Sequence, residues 1–65
     1  MNQDQTLINI MAAGREAVHV LTLLSYQIDK LGRETDAEII SASARDVCGV
    51  VLSIIDQMIP DTEEA

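Results

Sequence analysis

Scarcity bounds this chain first. It has no tryptophan or phenylalanine, one tyrosine, one histidine, one proline and one cysteine. The lone Cys48 cannot close an intrachain disulfide and belongs to no ligand cluster that would hold zinc. A single histidine leaves little for convergent acid–base chemistry. The three glycines, Gly14, Gly32 and Gly49, are isolated, so no glycine-rich loop is present to cradle a phosphate. Four basic residues against eleven acidic ones give a net charge of −7. Such a field repels phosphate backbones and anionic lipid, which disfavours nucleic acid and membrane surfaces as partners. No uninterrupted apolar run approaches the roughly 20 residues that span a bilayer. Met1 to Thr6 are not the basic and then apolar start of a signal peptide. With one thiol and no export signal, the expected location is cytoplasmic.

Apolar residues are plentiful instead, at 48% of the chain. That is too many for a disordered polymer. Sixty-five residues make a single domain, 1–65. At this size a lone core seldom offsets the entropy of ordering the chain, and with disulfide and metal set aside, oligomerisation is the remaining support.

The apolar residues repeat at helical spacing. Leu7, Ile10, Gly14, Ala17, Leu21, Leu24, Ile28 and Leu31 alternate steps of three and four, a heptad seam that Met11, Val18 and Val20 widen. Asn2 or Asp4 is placed to cap the start. Lys30 suits the last turn and Gly32 a left-handed closing residue, so the pattern predicts a first helix over about 4–31. Thr35 and Glu38 read as a capping box that opens a second helix over about 36–59. Its seam is Ile40, Ala44, Val47, Val51, Ile54 and Met58, widened by Cys48, Leu52, Ile55 and Ile59, and it ends before Pro60. Glu38, Arg45, Gly49, Ser53, Asp56 and Gln57 form its polar side. The acidic segment 60–65, with Asp61, Glu63 and Glu64, reads as a solvated tail.

So short a connection forces antiparallel neighbours. Counting outward from the turn, with residue i opposite roughly residue 68 − i, places Leu24 near Ala44, Leu21 near Val47, Ala17 near Val51 and Gly14 near Ile54. The expected fold is therefore an all-α, antiparallel two-helix hairpin. Each apolar stripe is wider than one neighbour can cover. A second copy completes a four-helix bundle, so the hairpin is expected to form a homodimer through those seam residues.

The remaining residues offer little reactive chemistry. Glu16 and His19 have the Glu-x-x-His spacing of di-iron bundles, but the pair falls opposite the seam and the second helix supplies no inward acid or histidine. Cys48 reads as a small core-edge hydrophobe. No catalytic, cofactor-binding or metal-ligating set emerges, and the chain is expected to be non-enzymatic and to need no cofactor. The outer side of the first helix is less bland. It carries Ile8, Arg15, His19, Leu23, Tyr26 and Lys30, along with Ala12, a mixture suited to a protein-binding face with Leu23 and Tyr26 as anchors and Arg15 and Lys30 as rim.

In heptad pattern, short turn and acidic tail the chain resembles the Rop-like helical hairpins. That resemblance implies a four-helix-bundle dimer and an outer first-helix face that binds paired RNA loops. Arg15, Tyr26 and Lys30 could stand in such a row, whereas Glu16, Asp29 and the net charge oppose RNA; no functional residues are carried over. The leading expectation is a dimeric adaptor or inhibitor that binds one host or cognate regulatory protein. Small acidic helical proteins of this kind are common among phage and mobile-element accessory products. The alternatives are a Rop-like RNA-binding regulator and an acidic mimic of DNA.

Overall fold

A computed structural model describes residues 3–58. Two helices, α1 (Gln3–Lys30) and α2 (Glu34–Met58), run antiparallel and pack against each other along their length. The fold is all-α. The tail 60–65, Ile59 and the candidate cap Asn2 lie outside the described residues.

The turn is set by backbone chemistry. Gly32 has φ +83°, the left-handed conformation that closes a helix without a Cβ penalty. Its N–H donates to the Asp29 carbonyl (2.9 Å), and that of Arg33 to the Ile28 carbonyl (3.4 Å). These are the paired bonds of a Schellman motif, which satisfies the carbonyls that the end of α1 leaves free. Lys30 occupies the last turn of α1, where a cation suits the helix dipole.

Arg33 then begins α2 at once: its carbonyl accepts from the N–H of Ala37 (3.0 Å), and its guanidinium pairs with the Asp36 carboxylate in the first turn. The expected capping box is not formed. Thr35 lies inside the helix rather than before it, because the Schellman turn already delivers the chain in helical position by Arg33.

The shorter connector moves the register. Gly14 faces Val51, not Ile54: a Cβ built on Gly14 would lie 2.8 Å from Val51 Cγ2. Facing partners are thus about three positions nearer the turn than counting from a Thr35 cap implies. At the open end the Gln3 amide donates to the Met58 carbonyl at 3.5 Å, so the helices finish level.

Among the described residues only Leu7, Ala37 and Ala44 are buried apolar residues, joined by Ser25, and no large side chain is fully enclosed. Ile10, Gly14, Val18, Leu21 and Ile28 on α1 are half-buried, as are Ile40, Val47, Val51, Ile54 and Ile55 on α2. Ala17, Leu24, Leu31 and Met58 are exposed. Near the turn the contact is polar. The Ser25 hydroxyl donates to the Ala37 carbonyl (2.8 Å), so its 3.0 Å contact with Ser41 has the Ser41 hydroxyl as donor.

The molecule measures 51 × 25 × 13 Å. The short dimension is close to one helix diameter, so both broad faces of the hairpin are open.

Candidate interaction surfaces

The two broad faces differ in chemistry. Two clefts lie end to end on the first. Nearer the turn, Thr22, Ser25, Tyr26 and Asp29 of α1 face Glu34, Ala37, Glu38 and Ser41 of α2, and the walls are hydroxyls and carboxylates. Farther from the turn, Met11, Gly14, Arg15 and Val18 face Cys48, Val51, Leu52 and Ile55. This second cleft is apolar apart from Arg15. Its floor is set by Gly14, whose missing side chain leaves Val51 as the surface.

The opposite face is reached by turning about a quarter revolution from the contact line on each helix, in the sense away from those clefts. On α1 it carries Thr6, Ala13, Ala17, Val20, Leu24, Gln27 and Leu31, and on α2 Asp36, Ile39, Ser43, Val47, Val50, Ile54 and Gln57. Val20, Leu24, Ile39 and Val50 are 43–59% exposed and Leu31 is 79% exposed. Within the body of this face no residue is charged. Asp46 stands at its outer edge, and Asp36, at the turn end, is already paired with Arg33.

Three of the eight α1 seam residues lie here. Leu7, Gly14, Leu21 and Ile28 line the contact between the helices, while Ala17, Leu24 and Leu31 sit on the flank, with Ile10 between the two. Val18 and Ser25 take the contact positions that the seam assigned to Ala17 and Leu24. Ser25 and Ser41 are silent in the sequence pattern, because serine does not contribute to apolar periodicity.

A third surface is the outer side of α1. Ile8, Arg15, His19, Leu23, Tyr26 and Lys30 are all exposed there, Leu23 at 50% and Tyr26 at 59%. The Lys30 ammonium lies 5.1 Å from the centre of the Tyr26 ring, a cation–π contact that holds both side chains on this side. Arg15 and Arg45 have no acidic partner among the described residues. Cys48 is exposed, not tucked into the core edge. Among the described residues no group of three His, Cys, Asp or Glu side chains is arranged to hold a metal.

By length and composition α1 could cross a membrane, a test that helices of water-soluble bundles also pass; Arg15 and Glu16 stand at its middle.

These features define a class by architecture: an all-α helical hairpin consistent with the subunit architecture of the Rop-like proteins. Comparison with protein-family models, with curated proteins and with solved structures finds no match to this chain.

Proposed function

We propose that this protein is a small, non-enzymatic interaction module: a homodimer joined through its uncharged broad faces, acting as an adaptor or inhibitor that presents the outer side of α1 to one partner protein. The observation that carries the reading is the uncharged apolar face left open by the hairpin. A chain of net charge −7 repels its own copy everywhere except across such a face.

Two hairpins stacked face to face form a four-helix bundle in which Ala17, Leu24 and Leu31 of each copy meet Val47, Val50 or Ile54 of the other or their own equivalents. A lipid partner accounts for the surface less well, since Arg15 and Glu16 would lie at mid-membrane if α1 spanned it.

Dimerisation leaves the outer side of α1 open. Leu23 and Tyr26 are large apolar groups that neither the hairpin contact nor the paired faces need, and Arg15, His19 and Lys30 surround them as a polar rim. A partner recovered from cell extract on the immobilised protein tests the assignment. Leu23→Ala with Tyr26→Ala should weaken its binding well over tenfold, because truncated anchors typically cost about 2 kcal/mol each. Dimer mass and helical signal should stay as they are. Unimpaired partner binding together with a broken dimer would instead place these two residues in the interface between copies. A partner that proves to be RNA, with affinity falling steeply as salt rises, would favour the Rop-like alternative.

A further inference from the structure

Both helices contribute the same pattern to the apolar cleft on the other broad face. The four positions from α1 are i, i+3, i+4 and i+7 starting at Met11, and the four from α2 follow the same steps starting at Cys48. Two helices that align such rows form a trough whose natural filling is the ridge of a third helix. The cleft holds about 300 Å³, the lower end of the range for ligand sites, which suits a few side chains better than a cofactor.

Its electrostatics are one-sided. Arg15 is the only charged residue lining the cleft, and it lacks an acidic partner among the described residues, on a chain where acids outnumber bases eleven to four. The cleft also ends in the carboxylates and hydroxyls near the turn, which limits the apolar stretch to about two helical turns, or roughly 11 Å.

We infer that this cleft is a docking groove for a short amphipathic helix of another protein, with apolar anchors on one side and an acidic residue at the edge facing Arg15. The groove goes beyond the outer-face reading. Half of it comes from α2, neither Leu23 nor Tyr26 lines it, and in the proposed dimer the two grooves lie on opposite outer faces of the bundle.

A synthetic helix tests it, because Cys48 lies in the groove wall and its thiol is exposed. The probe is a peptide of about four turns with leucines at i, i+3, i+4 and i+7 and a single glutamate on the edge that faces Arg15. Bound peptide should slow the reaction of Cys48 with a thiol reagent several-fold, whereas a scrambled peptide of the same composition should not. Arg15→Glu should weaken binding roughly three- to tenfold, as expected for a rim charge, and the same peptide with lysine in place of that glutamate should recover it. The inference is overturned by an unprotected Cys48, by equal protection from the scrambled peptide, or by indifference to Arg15→Glu. None of these results bears on Leu23 and Tyr26, so the two readings fail separately.

Discussion

Val51 packs directly onto the backbone of Gly14: its Cγ2 lies 2.8 Å from where a Cβ on that glycine would sit. Helix propensity alone would make Gly14→Ala stabilising by about 1 kcal/mol. At this distance the β-branched Val51, which has little rotamer freedom in a helix, must move. Gly14→Ala is therefore expected to gain nothing, and Gly14→Leu to lose roughly 1 to 3 kcal/mol. Chemical denaturation measures both. Combining Gly14→Ala with Val51→Ala should restore the propensity gain, whereas a higher melting temperature for Gly14→Leu would remove Gly14 from the contact.

The polar clasp near the turn is open to the same treatment. Ser25→Ala removes the donor to the Ala37 carbonyl and the acceptor for Ser41 in a buried position. A loss of about 1 kcal/mol is expected, read as a lower denaturation midpoint with an unchanged slope. No loss would mean that the two serines are merely tolerated in the contact.

Ser25 also marks how far the sequence could be read. The heptad pattern made the two helices and their antiparallel pairing legible, since apolar steps of three and four have few other meanings and Gly32 announces its left-handed turn. It could not separate Leu24 from Ser25 as the contact residue. The two differ by one 100° step, and a stripe wide enough to touch two neighbours contains both. The register departs from the sequence pattern for a related reason. Thr35 and Glu38 have the composition of a capping box, but the Schellman turn at Gly32 had already satisfied the backbone and started α2 at Glu34. The apolar cleft beside Arg15 was out of reach because it depends on that register.

The uncharged broad face yields a test in which monomer and dimer give opposite signs. Val20 and Val50 are more than half exposed in the hairpin. On a free surface, Val20→Glu would be neutral or slightly stabilising through helix propensity. If the face is paired, the same change places a carboxylate in an apolar interface and should cost several kcal/mol per dimer. The variant is expected to have the mass of one chain and a reduced helical signal at micromolar concentration. A fully helical variant that melts no lower than the wild type would show that Val20 faces water.

The central claim is that the open face of the hairpin is covered by a second copy, and mass in solution tests it most directly. Light scattering of the wild-type protein across a dilution series should give twice the chain mass of 7.1 kDa at micromolar concentration. The thermal midpoint should fall as the protein is diluted, because folding coupled to association follows mass action. A single-chain mass at micromolar concentration, with a sharp transition that does not move on dilution, would contradict the account.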